Sequence, residues 1–384
     1  MKIIIFDPLG TEGQAMYDHA LSEELSLLGN QVFLVSCEEY TFKSVKRSYE
    51  LELVLRGYRK RGTKTTRKVI NYVKSLLHFV RLARKINPDV IHYQFPLLPF
   101  LDVIALLYIK LILRIKVVYT VHDVRLTINS KVKNFGFRSF VNLFDGVILH
   151  SELNVADFFN VNKSYTGLYA VIPHGNYLPL INLCNVADVK YSLLDGQAEG
   201  KEVLSFIGSL LPYKGIDILV KAFFEAKKTI RNLHLVVAGS SRGKHFLIEG
   251  ADSFKDVTIV NKYLSDSEVL GLLSLSDLIV LPYRYGTTSG VALLAMTYGK
   301  PVLASDISAF RSIIDDGETG FLFKVNNVKD LEDKIIKLMR DKPLMSVVAK
   351  KAKSKMIKEY SWKDVAAKTE EFYTDVLNGT GLEK

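Results

Sequence analysis

Leu278-Ile-Val-Leu-Pro-Tyr-Arg-Tyr-Gly-Thr-Thr-Ser-Gly-Val-Ala-Leu-Leu-Ala-Met-Thr-Tyr-Gly-Lys-Pro-Val-Leu-Ala-Ser305 is the stretch on which the fold turns. It reads as a buried strand (Leu278–Pro282), a loop of hydroxyls and glycines, a helix (Ser289–Tyr298) and a second strand (Pro301–Ala304). Parallel strands need a crossover of this kind, so the segment is a βαβ unit. The same rhythm extends upstream through Glu202–Ile207, a helix Gly215–Ala226, Leu233–Ala238, Val257–Val260 and a helix Asp266–Leu273. Short strands alternating with helices predict a doubly wound, mostly parallel sheet.

The layout has a counterpart in the first half of the chain. Lys2–Phe6, a helix Gly13–Leu28 and Gln31–Ser36 open it, and Val90–Tyr93, a helix to about Leu113, Lys116–Val121, a helix near Val132–Leu143, Gly146–His150 and Ala170–Ile172 follow. Between the series, Asn176 to Gly200 is weakly patterned. The 384 residues suit two domains. We therefore expect a first domain over 1–178, a linker over 179–200, a second domain over 201–360, and a final helical segment over 361–384 that crosses back to the first domain.

With 48% hydrophobic and 24% charged residues the chain is ordinary for a globular protein, which argues against disorder. Cys37 and Cys184 have neither metal-like nor redox-like spacing, and the N-terminus reads as a strand without the apolar core of a secretory signal, so a reducing cytoplasm is expected. The most apolar stretch, Phe95 to Ile115, is interrupted by Pro96, Pro99, Asp102, Lys110 and Arg114 and reads as a buried helix rather than a membrane span.

Charge is unevenly placed. Of the formal net +10, Lys43 to Lys85 supplies fourteen Lys and Arg against Glu50 and Glu52, leaving the rest slightly acidic. Such a block points to an anionic partner. No nucleic-acid recognition motif accompanies it. From Thr65 the block reads as a basic amphipathic helix, with Val69, Ile70, Val73, Leu76 and Leu77 on its apolar side. Arg59, Lys60, Arg61, Lys64, Arg67 and Lys68 are the candidate contacts to an anionic bilayer or a lipid diphosphate.

Three segments carry chemistry. Asp7-Pro-Leu-Gly-Thr-Glu-Gly13 joins a strand to a helix N-terminus and offers backbone amides to an anion, without the G-x-G-x-x-G spacing of a dinucleotide site. In Phe206-Ile-Gly-Ser-Leu-Leu-Pro-Tyr-Lys-Gly215, Lys214 stands between a strand end and the next helix, where open α/β sheets bind ligands. Its ammonium suits a phosphate, although a loop lysine is more often simply solvated. In the opening stretch, Thr287, Thr288, Ser289 and Gly290 start a helix, so hydroxyls, amides and the helix dipole converge on one anion site beside Arg284. Ser289 alone reads as an ordinary N-cap.

The ordered set G-x-L-x-x-x-K-G-x-D at Gly208–Asp217, Pro282 before a loop, A-M-x-x-G-K-P-V at Ala295–Val302, Pro88-Asp-Val-Ile-His92, His122-Asp123, Ile172-Pro-His-Gly175 and Asp316-Gly-Glu-Thr-Gly320 resembles glycosyltransferase family 4 over nearly the whole chain. The resemblance implies an α/β GT-B fold, two Rossmann-like doubly wound parallel-sheet domains facing a cleft. It also implies a retaining glycosyltransferase that takes a nucleotide diphosphate sugar in the second domain and an acceptor in the first. Lys214 then contacts the donor diphosphate, Ser289, Gly290 and Val291 cradle it, Gly208 and Thr288 lie beside it, Gly13 lines the opposite wall, and His122 is the catalytic candidate next to the transferring sugar.

Two departures stand out. Ser209 occupies the place of a basic residue that often follows the family's glycine, so Arg284 is the substitute phosphate contact; and Gly286 and Leu294 stand where many members carry two glutamates. No Asp-x-Asp motif occurs, and neither a cofactor nor a metal is expected. The expected setting is the assembly of surface glycan on a lipid-linked or oligosaccharide acceptor at the inner face of the plasma membrane. A sugar-nucleotide epimerase of the same fold and an inactive homologue serving as a scaffold remain as alternatives.

Overall fold

A computed structural model describes residues 1–55, 65–122, 137, 139–184, 198–241, 255–286 and 288–380. They form two compact units, Met1–Gly175 with Ser361–Lys384, and Asn176–Tyr360.

The first unit is built on β1 (Lys2–Phe6), α1 (Glu12–Leu27), β2 (Gln31–Cys37), β3 (Glu50–Leu55), α2 (Thr65–Ile86), β4 (Val90–Tyr93), α3 (Pro99–Tyr108) with a π-helical turn Ile109–Leu113, β5 (Lys116–Thr120), β6 (Gly146–Leu149), α4 (Leu153–Val161) and β7 (Leu168–Val171). All seven strands are parallel, in the order β3-β2-β1-β4-β5-β6-β7. The order reverses between β1 and β4, so the loops after these strands flank the switch point, where α/β sheets bind ligands. One strand escaped the sequence reading: Glu50–Leu55 lies inside the basic block and joins the sheet edge at β2. Its glutamates alternate with leucines at period two, a pattern hidden by the surrounding charge. The expected helix near Val132–Leu143 falls largely outside the described residues.

In the second unit, α5 (Leu178–Leu183), β8 (Glu202–Ile207), α6 (Ile216–Thr229), β9 (Leu233–Gly239), β10 (Val257–Asn261), α7 (Asp266–Leu275), β11 (Leu278–Leu281), α8 (Gly290–Tyr298), β12 (Val302–Ser305), α9 (Ser308–Arg311), β13 (Phe321–Phe323), α10 (Val328–Arg340) and α11 (Lys342–Glu359) follow in turn. Its parallel sheet runs β10-β9-β8-β11-β12-β13, and the switch point lies between β8 and β11. The expected linker begins too late. The boundary falls at Gly175, and Leu178–Leu183 is a helix of the second unit held there by Tyr177, whose backbone N–H donates to Thr297 Oγ1 at 3.3 Å. The stretch looked unpatterned because Pro179 and a six-residue length leave no helical period to read.

The last helix, α12 (Trp362–Asn378), belongs to the first unit. Ser361 caps it, accepting from Asp364 N at 3.1 Å. It crosses glycines where no side chain would fit: a Cβ on Gly146 would stand 2.7 Å from Phe372 and Val376, and one on Gly175 would stand 2.3 Å from the Trp362 ring. Tyr373 hydrogen-bonds His92 Nδ1 at 2.6 Å, and Glu370 accepts from Asn30 at 2.6 Å. On the other face of the sheet lies an aromatic core in which Phe6 stacks on Phe79 with ring centroids 4.1 Å apart, and Tyr93, Phe140 and Phe144 close around them. No helix among the described residues is long and apolar enough to cross a membrane.

Candidate functional site

At the switch point of the second unit, two close backbone approaches build a wall. Gly208 ends β8 at φ +140°, and Gly239 ends β9 at φ +149° with its Cα so close that an added Cβ would lie 1.7 Å from the Gly208 carbonyl. Gly215, at φ +68°, passes Pro282 so tightly that a Cβ would lie 1.9 Å from its carbonyl oxygen. Only glycine meets both demands, a left-handed backbone and no side-chain volume. The K-G and L-P segments are therefore locked together, with Arg284 N donating to Tyr213 O at 2.8 Å.

Tyr283 is the hub of this wall, and sequence reading passed over it. Its ring is buried, and its backbone carbonyl accepts from Ser305 Oγ. The Lys214 ammonium rides 3.5 Å above the ring centroid. A Cβ placed on Gly208 would be 3.8 Å from the Tyr283 hydroxyl and 3.9 Å from Val291, so Gly208, Lys214 and Val291 gather around one ring. Lys214 forms no ion pair with any described residue, and a cation over an aromatic face keeps its charge available.

The start of α8 completes the cluster. Ser289 has extended backbone and its hydroxyl accepts from Ala292 N at 3.3 Å, the N-cap arrangement. That leaves the Gly290 and Val291 amides, which have no intrahelical acceptor in a first turn, at the positive end of the helix. Gly290 is pinned from behind, because a Cβ there would meet the Tyr177 hydroxyl at 2.5 Å. Thr288 precedes the cap, half-buried, and Thr287 lies outside the described residues.

Arg284 departs from expectation. Its guanidinium donates to both Asp217 oxygens, at 3.0 and 2.7 Å, and to the Pro212 carbonyl. Its charge is compensated, and the hydrogen bonds hold the Asp217 carboxyl below its ordinary range. Arg284 thus braces the Lys214 loop instead of extending into it. The two glutamate positions also differ. Gly286 has space, its nearest neighbour to an added Cβ being Ala309 at 3.8 Å, whereas Leu294 is 5% exposed inside the apolar core.

The first unit holds a separate constellation. Asp7 turns the glycine loop on itself, accepting from Leu9 N at 2.9 Å and Gly10 N at 2.6 Å. These two amides, expected to face an anion, are instead occupied by a carboxylate. Gly10, at φ +56°, lies against Ser36 and Cys37, and Gly13 is half-buried in the first turn of α1. Asp18, one helical turn further along α1, is fully buried; burial and the nearby Asp7 push its carboxyl well above the usual range.

His122 follows β5 and sits edge-on to Tyr17, ring centroids 4.8 Å apart. Its Nδ1 lies 3.2 Å from His150 Nε2, and its Nε2 lies 2.9 Å from Gln94 Oε1. His150 Nδ1 in turn lies 3.1 Å from the Ile172 carbonyl, which can only accept. Burial pushes His150 down to about 3 and holds His122 well below its ordinary value, so both rings are neutral near pH 7. Two neutral imidazoles carry two N–H groups, yet the row Ile172–His150–His122–Gln94 has three contacts. With Gln94 Oε1 on His122 Nε2, each ring donates outward and the two facing nitrogens share no proton; turning the Gln94 amide end for end gives every contact one proton, His150 donating to Ile172, His122 to His150 and Gln94 Nε2 to His122 Nε2. His92 and His174 complete the cluster, pushed by burial to about 3 and about 4. His150, Gln94 and Tyr17 escaped sequence reading because they lie on separate strands and helices and acquire meaning only when the sheet aligns them.

Asp123 and the basic residues Arg59, Lys60, Arg61 and Lys64 lie outside the described residues; Arg67 and Lys68 stand on the first turn of α2. No group of three His, Cys, Asp or Glu side chains arranged to hold a metal occurs among the described residues.

Residues 195–355 match the family model described as "Glycosyl transferases group 1", and residues 11–175 match "Glycosyltransferase Family 4". Alpha-D-kanosaminyltransferase of Streptomyces kanamyceticus is 26% identical over 165 residues, 42% of this chain and 43% of that protein. The chain spans about half the length of the curated relatives it matches. Among solved structures, sucrose-phosphate synthase from Thermosynechococcus elongatus superposes with a TM-score of 0.76 at 19% identity, covering 99% of this chain and 100% of that one. Anabaena Alr3699/HepE in complex with UDP-glucose does so with 0.74 at 17%, covering 98% and 100%. These likenesses establish the GT-B fold.

Proposed function

We propose, from the premise that the chain belongs to glycosyltransferase family 4, that it moves a sugar, with retention, from a nucleotide diphosphate sugar to a lipid-linked or oligosaccharide acceptor in surface glycan assembly. One observation carries the reading: an uncompensated ammonium, Lys214, stands over Tyr283 beside the open amides of α8, at a sheet switch point. As the glycosidic bond breaks, negative charge grows on the departing diphosphate, and preorganised donors aimed at that charge lower the barrier. Lys214 and the Gly290 and Val291 amides supply such donors from the protein itself. The similar fold seen with UDP-glucose supports a nucleotide-sugar donor.

His122 is then the residue beside the sugar, and in the arrangement with the Gln94 amide turned its Nδ1–H donates to His150. The acceptor belongs to the first unit, with Arg67 and Lys68 facing an anionic membrane surface at the cytoplasmic side of the plasma membrane. A panel of nucleotide sugars, assayed for nucleoside diphosphate release with and without lipid extract, tests the reading. Turnover lowered about a hundredfold by Lys214→Ala supports it; no turnover with any donor and acceptor sinks it.

A second reading has one observation behind it. Leu294 packs in the core where many members carry a glutamate, so the site lacks a carboxylate there. That fits an inactive homologue serving as a scaffold, and the same absence of turnover is its signature.

A further inference from the structure

The face of the first unit formed by α2 and α3 is unlike the rest of the surface. Half of the exposed large hydrophobic side chains among the described residues lie on these helices and the π-turn, roughly a tenth of the chain. A concentration of that kind marks an interaction surface, whereas scattered apolar residues do not. On α2, Val69, Ile70, Val73 and Leu77 recur at helical spacing, beside the buried line Tyr72, Leu76, Phe79 and Ala83. On α3 and the π-turn the outward line is Phe100, Ile104, Leu107 and Leu111, with Ile104 65% and Leu111 68% exposed. Between the helices runs a groove of about 460 Å³ with mostly aliphatic walls, its charged lining confined to Arg81 and Arg84 and Tyr108 contributing a ring. The volume is in the range that holds a single small ligand or chain.

Charge selects the occupant. The α2 helix carries Arg67, Lys68, Lys74, Arg81, Arg84 and Lys85 and no acidic residue. The acid of α3, Asp102, is fully buried, accepting from Tyr72 at 2.5 Å and Leu98 N at 3.0 Å, and contributes no surface charge. Neither Arg81 nor Arg84 pairs with a carboxylate among the described residues. Long aliphatic side chains flanked by the uncompensated Arg81 and Arg84 match an interface of hydrocarbon beneath phosphate. We propose that this face docks on an anionic phospholipid bilayer, the α2–α3 groove taking one acyl chain and Arg81 and Arg84 its phosphate. The proposal rests on and sharpens the membrane-apposed reading of the acceptor unit, and it extends the apolar contact read on α2 to α3 and the π-turn. It holds whether or not the acceptor itself is a lipid.

Full-length protein is sedimented with phosphatidylglycerol-containing and with pure phosphatidylcholine vesicles. The expected result is binding to the anionic vesicles, at least tenfold weaker for the double variant Ile104→Asp/Leu111→Asp and for Arg81→Glu/Arg84→Glu. Donor hydrolysis, which tests the transferase reading, stays at the wild-type level in both, because these exposed positions lie outside the donor cluster. Wild-type protein that hydrolyses donor but ignores anionic vesicles overturns the docking proposal and leaves the transferase reading standing. Both variants binding like wild type also overturn it. A Tyr108→Trp variant reports on the groove: brominated acyl chains are expected to quench its added fluorescence, and an unquenched signal in bound protein refutes acyl insertion.

Discussion

His122 Nδ1 and His150 Nε2 face each other across 3.2 Å, and the Ile172 carbonyl at the far side of His150 holds that ring's proton on Nδ1, leaving its Nε2 as an acceptor. On the proposed reading His150 acts on the reaction through His122, as a positioning residue. His150→Phe keeps a ring in the slot and removes the acceptor, leaving the His122 N–H without its partner. A lost neutral hydrogen bond of about 1–1.5 kcal/mol corresponds to roughly a tenfold fall in transfer rate. His122→Ala is expected to lose more, about a hundredfold. If His150→Phe transfers at the wild-type rate, the tautomer lock has no role. His150→Gln, whose amide can accept from His122, is expected to recover part of the rate.

The same cluster sets the acid limit of stability. His92, His150 and His174 are pushed by burial from about 6.5 to about 3, 3 and 4. Below pH 6.5 the unfolded chain binds protons that the folded chain refuses, so the unfolded state gains as pH falls. The share of stability these rings supply is complete above pH 6.5 and is lost progressively down to their folded values, each ring contributing a slope of up to about 1.4 kcal/mol per pH unit inside its window. Burial raises the Asp18 and Asp102 carboxyls, which tilt stability the opposite way over the same range. Urea midpoints measured between pH 7 and 4.5 are therefore expected to fall more steeply for the wild type than for His150→Gln, and a slope unchanged by the substitution contradicts the neutral-cluster assignment.

On the proposed reading Lys214 is a ligand group, whereas Arg284 is a brace. Lys214→Ala removes a charge-assisted contact to the diphosphate and is expected to lower turnover about a hundredfold. The melting temperature should scarcely move, since the folded protein loses only a cation–π contact of about 0.5–1 kcal/mol. Arg284→Ala frees Asp217 and the Pro212 carbonyl, so it is expected to lower the melting temperature while reducing turnover less than tenfold. The opposite pattern would show that the guanidinium leaves Asp217 to hold phosphate.

Glycine positions provide a graded test of the backbone argument. Gly215→Ala and Gly175→Ala each force a methyl into occupied space, against the Pro282 carbonyl and the Trp362 ring, and are expected to cost about 3 kcal/mol or more. Gly29→Ala meets nothing within 4 Å and bears only its φ of +92°, about 1 kcal/mol. Gly286→Ala has space and an unstrained φ, so it should be neutral. Chemical unfolding of the four variants reads the order directly.

Much of this architecture was legible in the residues. Strand and helix alternate at different periods, so the two parallel sheets could be read from Leu278–Ser305 outward. The structure adds β3 and β13, whose patterns are masked by charge or by shortness. Lys214 and the Ser289 cap were legible because both sit at strand-to-helix junctions. The Arg284–Asp217 brace and the four-histidine cluster were not, since their partners come from distant segments. Only strand order brings His92, His122 and His150 to neighbouring strand ends.

One consequence belongs to synthesis on the ribosome. The helix that covers Gly146, Gly175 and His92 begins at Trp362, whereas the rest of its unit ends at Gly175. Roughly 185 residues intervene, and at about 5–20 residues per second the nascent first unit waits roughly ten to forty seconds for its final piece. Throughout that interval the second unit is emerging while the first still shows an apolar seam to chaperones.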